Sequence, residues 1–266
     1  MFLTKISLRK IRLLVGADLS VAAFAFLSAI VFAFLEMECL TLVIIGCLCL
    51  VLAFLSYQLG RYAEGKGKLM AKGNELVCQQ LRPADFIRLY EETLHDPDNR
   101  ISNADGDVLQ LLLTAYDAMG DSQQALEIAE QILSIASNKK VNIAKLSKSA
   151  LLFNIGRAEE AEDIYKEVIC GKLDILTKAV ADAVMKTDRA MFLGDYTTAE
   201  NYFSQSLIQK FPKPTPLSKL SAHYYLAKIC YKTDRKEEAD EHRKYCIENG
   251  GETGMQREAV NGEIFL

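Results

Sequence analysis

The chain has 266 residues, half of them apolar and a quarter charged, with a formal net charge of −4. So mild an acidic balance gives no electrostatic footing for nucleic-acid binding. The seven cysteines form no CxxC pair and no histidine stands at ligand spacing from them, which argues against a metal centre and for reduced thiols.

Residues 1–12 are basic, with Lys5, Arg9, Lys10 and Arg12. Leu13 to Leu59 then forms an almost unbroken apolar run, interrupted only at Glu36-Met37-Glu38. A helix of roughly 20 apolar residues spans a bilayer, so 13–35 and 39–59 each qualify and 36–38 makes the turn of a transmembrane hairpin. The first run is too long, and ends in residues too bulky, for a cleaved secretory signal. Arg61, Lys66, Lys68 and Lys72 follow the second run, whereas the turn carries only acids. Cationic flanks stay on the cytoplasmic side, so both termini are expected there, in the plasma (inner) membrane of a bacterial-style cell. Asp18 is the one charge within the first run; near the interface it can reach water or the Arg12 cluster, and deeper it would be a functional polar group. Ala22, Ala23, Ala25, Ser28 and Ala29 give the same helix a small-sided stretch suited to close packing in lipid.

Residues 60–73 are basic and glycine-containing, either a juxtamembrane linker or a continuation of the second helix. From 74 to 250 the pattern is helical throughout. Pro83 opens one helix with Phe86, Leu89, Tyr90 and Leu94 on one face. Leu109, Leu112, Leu113 and Tyr116 mark the next, which breaks at Gly120-Asp121 and resumes with Ala125, Ile128 and Ile132 as an αα-hairpin. The unit returns as Leu146, Ala150, Phe153, Gly156-Arg157 and Ala161. It returns again as Leu193-Gly194-Asp195 with Ala199, Tyr202 and Phe203, and last as Tyr224, Ala227, Cys230, Asp234-Arg235 and Ala239. Phe211 to Pro216 reads as an extended connection, and 251–266 as a polar tail whose final Ile264-Phe265-Leu266 could dock on the last helix pair.

These four units resemble the tetratricopeptide repeat, although Ala125, Ala161, Ala199 and Ala239 recur 36, 38 and 40 residues apart, each more than the family's period of about 34. The resemblance implies an all-α fold: a transmembrane hairpin followed by a TPR-like α-solenoid whose concave groove binds a protein or peptide partner. Gln110 and Thr114 occupy the places of the Lys and Asn in the family's best-known carboxylate clamp, so recognition of a chaperone tail is not implied. Tyr224, Lys228 and Tyr231 make an aromatic and cationic set on the last copy suited to peptide contact, with core packing as the competing role for the tyrosines.

Catalysis finds little footing. There is no HExxH, GxSxG, phosphate loop or dinucleotide fingerprint, and His95, His223 and His242 are scattered. The expectation is a membrane-anchored scaffold that recruits a protein partner, with no cofactor, metal or small-molecule substrate. The alternative is a structural subunit of a membrane complex that uses the hairpin as its interface.

Overall fold

Four times along the chain a helix ends in the same reversal. At Gly120, Gly156, Gly194 and Asp234 the backbone enters the left-handed region, with φ of 76°, 78°, 73° and 61°. The N–H of the next residue (Asp121, Arg157, Asp195, Arg235) donates to a carbonyl five positions back, on Tyr116, Leu152, Ala190 and Cys230, at 2.8 or 2.9 Å. This pairing satisfies carbonyls that a helix C-terminus leaves unpaired. Glycine enters that conformation without a Cβ penalty, and Asp is among the few residues that tolerate it, which is why Asp234 replaces glycine in the fourth copy. Four residues beyond each turn residue that donates stands Ala125, Ala161, Ala199 or Ala239, all four with no solvent exposure. A methyl group at that crossing lets the second helix lie close against the first.

The structure is a computed structural model that describes residues 39–96, 105–135, 138–210 and 212–265. The first apolar run with Asp18, and the turn at 36–38, lie outside the described residues. All regular structure among the described residues is helical. Helix α1, Cys39–Asn74, runs without a break through the basic stretch 60–73, which is therefore helical. A π-helical turn, Glu75–Gln79, follows, and then α2, Pro83–His95. Among the described residues one stretch, Gly46–Gln79, is long and apolar enough to cross a membrane by length and composition. Leu48, Leu50, Val51, Leu52, Phe54, Leu55 and Leu59 along it are all exposed.

Leu69–Leu94 and the chain from Ser102 onward form one compact unit. Its first helix pair is α3, Gly106–Met119, with α4, Ser122–Ile135. The second is α5, Asn138–Asn154, with α6, Ala158–Ile169. In the third, α7 (Ile175–Val184) passes through a π-helical turn (Met185–Arg189) into α8 (Ala190–Leu193) before α9, Tyr196–Ile208, returns. The fourth is α10, Pro216–Lys232, with α11, Lys236–Asn249. Side-chain caps start several of these helices: Asp105 accepts from the N–H groups of Asp107 and Val108, Asp174 from Thr177, and Thr215 from Ser218, with Pro216 at the first helical position. In the first, second and fourth pairs the two helices pack on each other, and in the third the π turn and α8 pack on α9; α4 on α5, α5 on α7 and α9 on α10 join successive pairs.

The C-terminal segment, described to residue 265, is helical rather than an extended tail, and its Ile264 docks on the last helix pair as the sequence suggests. Thr253 caps α12, Gly254–Asn261, by accepting from the N–H of Gln256 at 3.2 Å, and a 3-10 turn, Glu263–Phe265, follows. Ile264 is fully buried with Leu81, Leu220, Tyr224, Ala227, Cys246 and Ala259. Burying one such isoleucine stabilises by roughly 1.5–3 kcal/mol. This last segment also returns to the start of the unit. The Glu252 N–H donates to the Leu81 carbonyl at 2.9 Å, and the Arg257 guanidinium donates to the Met119 carbonyl at 2.5 Å. Gly254 makes the approach possible, since a Cβ there would lie 2.6 Å from the Met119 carbonyl oxygen. The four pairs therefore close on themselves, with the end of the chain docked on the C-terminus of α3.

Candidate functional site

The helix pairs line a half-open cavity of about 390 Å³, within the range of small-ligand sites. Its walls come mainly from first helices of the pairs. Leu113 and Asp117 are one turn apart on α3. Ser147, Ala150, Leu151 and Asn154 on α5 follow a three-four-seven spacing, and Ser218, Ser221, Ala222 and Tyr225 on α10 repeat it. That spacing keeps each set on one helix face. The third pair contributes Thr187 and Asp188 from its π-helical turn and Tyr202, Phe203 and Ser206 from α9. A π turn adds one residue to the helix and re-aims the side chains around it; here it brings Thr187 and Asp188 to the wall.

The wall is mostly apolar, with polar groups set into it, and no Lys, Arg or His is among its described residues. One hydrogen-bond network links residues of three helix pairs across it. The Tyr225 hydroxyl donates to Asn154 Oδ1 at 3.3 Å, Asn154 hydrogen-bonds Asp188, and the Thr187 hydroxyl donates to Asp188 Oδ2 at 2.7 Å. Tyr225 stacks on Phe203 with ring centroids 4.8 Å apart. Asp117 stands outside the network: its carboxylate has no hydrogen bond or ion pair with any described residue.

The two carboxylates are poorly accommodated as anions. Asp117 is exposed at the cavity, but partial desolvation, and then the neighbouring Asp188 charge, push its pKa up to about 6. Its side chain still meets water through the cavity. Enclosure also raises Asp188, against the hydrogen bonds from Thr187, its own backbone and Asn154 that hold it down. Burial raises the Tyr225 hydroxyl well above the usual range, with Asp188 and Asp117 next in effect.

The residues expected to bind a partner fall elsewhere. Gln110 and Thr114 are half-buried on α3 beside the cavity wall, and the Thr114 hydroxyl donates to the Gln110 carbonyl of its own helix at 3.0 Å. Tyr224 is buried, its hydroxyl hydrogen-bonded to Glu258 on α12. Lys228 donates to the same hydroxyl at 3.1 Å and lies 4.9 Å from the Tyr224 ring. Tyr231 stacks on Phe265 at 4.5 Å. Tyr224 and Tyr231 are thus engaged by the C-terminal segment and Lys228 by Tyr224, while Tyr225, one residue along, faces the cavity. Asp117, Asn154 and Asp188 were not singled out from the sequence. For Asp117 a signal exists: it continues the stripe of Leu109 and Leu113 at four-residue spacing with a carboxylate in place of an apolar group.

Outside the cavity, His223 on α10 and His242 on α11 approach to 2.8 Å between Nδ1 atoms, and Tyr245 stacks on His223 at 3.8 Å. Burial, then the His242 and Lys219 charges, lower the His223 pKa to about 4. Burial also lowers His242, against Glu238 and Glu241. The pair is therefore held neutral, one ring donating to the other. Among the described residues no group of three or more His, Cys, Asp or Glu is placed to hold a metal ion. No protein-family model, curated protein or solved structure matches the chain.

Proposed function

We propose that this chain is a membrane-attached adaptor: an apolar N-terminal hairpin anchors it, and a TPR-like helical-repeat unit on the cytoplasmic side binds a segment of a protein partner without chemistry of its own. The observation that carries the reading is the fourfold recurrence of one helix-reversal geometry followed by a fully buried alanine, with a cavity lined by the first helices of the pairs. Stacked helix pairs of this kind present their first helices on a concave face, where repeat proteins take their ligands. The size of the cavity limits what enters it to one or two side chains or a chain end, so the partner contributes a short segment. Anchoring supports function by raising the local concentration of whatever the unit holds. The exposed leucines of α1 support the anchor. A retained, sharply apolar helix suits a structural subunit of a membrane complex equally, and the partner's identity separates the two.

The test is purification of the full chain from its own membranes in mild detergent, comparing wild type with Ser221→Trp, which fills the cavity from α10. The proposal expects a polypeptide retained by the wild type and lost by a still-folded variant. Identical retention by both would remove the cavity from recognition.

A further inference from the structure

We infer that the group received by the cavity is a cation, an alkylammonium or guanidinium head, held between Asp117 and Asp188 beside the aromatic wall. The inference rests on the reading of the cavity as the binding site. Two acids and three aromatic residues, Tyr202, Phe203 and Tyr225, line it, and no basic residue does. The Asp188 carboxylate is oriented by Thr187 and Asn154, whereas Asp117 has no hydrogen-bond or ion-pair partner among the described residues. The two carboxylates face one cavity, Asp117 exposed and Asp188 half-buried, and no basic residue on the described wall neutralises them. A cation placed between them removes the repulsion, donates charge-assisted hydrogen bonds to both carboxylates and can lie against aromatic rings. Anionic or purely apolar groups would meet two carboxylates with no compensation. The serines at Ser147, Ser206, Ser218 and Ser221 supply neutral acceptors for the remaining N–H donors of a guanidinium.

Such a head reaches the cavity either on a Lys or Arg side chain of a polypeptide or on a free amine, and the test separates the sources. The full chain in detergent is titrated by calorimetry with a blocked pentapeptide carrying one central arginine, with the same peptide carrying citrulline, the uncharged isostere, and with agmatine. The inference expects the arginine peptide to bind and the citrulline peptide to bind about ten-fold or more weakly, the equivalent of losing one charge-assisted hydrogen bond. Asp188→Asn, checked for an unchanged circular dichroism spectrum, should lose a similar factor. Agmatine binding as tightly as the arginine peptide assigns the cavity to free amines; weaker agmatine binding assigns it to a side chain on a polypeptide. Equal binding of the arginine and citrulline peptides, or no binding of any cationic ligand, overturns the inference. In that event the adaptor reading still stands if Ser221→Trp releases a polypeptide, and falls with the inference if it does not.

Discussion

Replacing Asp117 by Asn is expected to make the protein more stable at neutral pH. Enclosure and the Asp188 charge raise the Asp117 pKa from 3.8 to about 6, and each pKa unit corresponds to about 1.36 kcal/mol between protonation states. Complete transfer of that shift to stability would be worth about 3 kcal/mol, but the side chain keeps water contact, and screening reduces the figure to about 1 kcal/mol. Asp117 also lies in the last turn of α3, where the helix dipole disfavours an anion, so the effect has the same sign. The linkage follows from the raised pKa: the folded state binds the proton more tightly than the unfolded one. The contribution of Asp117 is therefore fully present below about pH 4 and is lost as pH rises through about 6. The gain from Asp117→Asn should be small at about pH 4 and full above about pH 7, where a unit of this size rises by roughly 2–4 °C in midpoint per kcal/mol. Thermal unfolding of the full chain in detergent, followed by far-ultraviolet circular dichroism across that range, measures it. A variant less stable than wild type at neutral pH, or a gain independent of pH, would refute the reasoning.

Three further outcomes follow from the same geometry. Gly254→Ala places a Cβ 2.6 Å from the Met119 carbonyl oxygen and 2.8 Å from the Gly120 nitrogen; backbone cannot yield cheaply there, so the variant should lose about 1–3 kcal/mol and show faster hydrogen exchange in α12, and unchanged exchange would sink the closure described above. His223, held near 4 against an ordinary 6.5, contributes stability that is present above about pH 6.5 and is lost as pH falls toward 4. For a half-solvated group the loss is on the order of 1–2 kcal/mol; His223→Gln should flatten that part of the acid limb, and an unaltered limb would show that the His223–His242 contact does not govern it. Binding of the arginine peptide should weaken as pH drops through about 6, where Asp117 takes up a proton that competes with the ligand's charge; affinity constant from pH 7.5 to 5 would exclude Asp117 from the contact.

What was legible in the residues was what is written locally. Gly120-Asp121, Gly156-Arg157 and Gly194-Asp195 announce a helix reversal because left-handed backbone has few occupants, and the alanine four residues on announces a close crossing. The even helical content of 74–250 follows from the same periodicity. Closure was not legible, because it depends on Gly251 and Gly254 meeting Leu81 and Met119, residues far away in sequence. Nor was the cavity: Asp117 and Asp188 stand 71 residues apart, and the π-helical turn that presents Asp188 has no mark in the local pattern. The choice of Tyr224 over Tyr225 reflects the same limit. Adjacent tyrosines on a helix point about 100° apart, and only the docking of α12 decides that Tyr224 is covered while Tyr225 lines the cavity.

The most direct test of the account is site-specific photocrosslinking in intact cells, with a small aliphatic diazirine amino acid, which unlike tryptophan leaves the cavity open, at Ser221 on the cavity wall or at Glu237 on the exposed face of α11. The account predicts a discrete polypeptide adduct from Ser221 that disappears when Asp188→Asn is added, and no such adduct from Glu237. Adducts that are alike from both positions, or that survive the loss of Asp188, would contradict it.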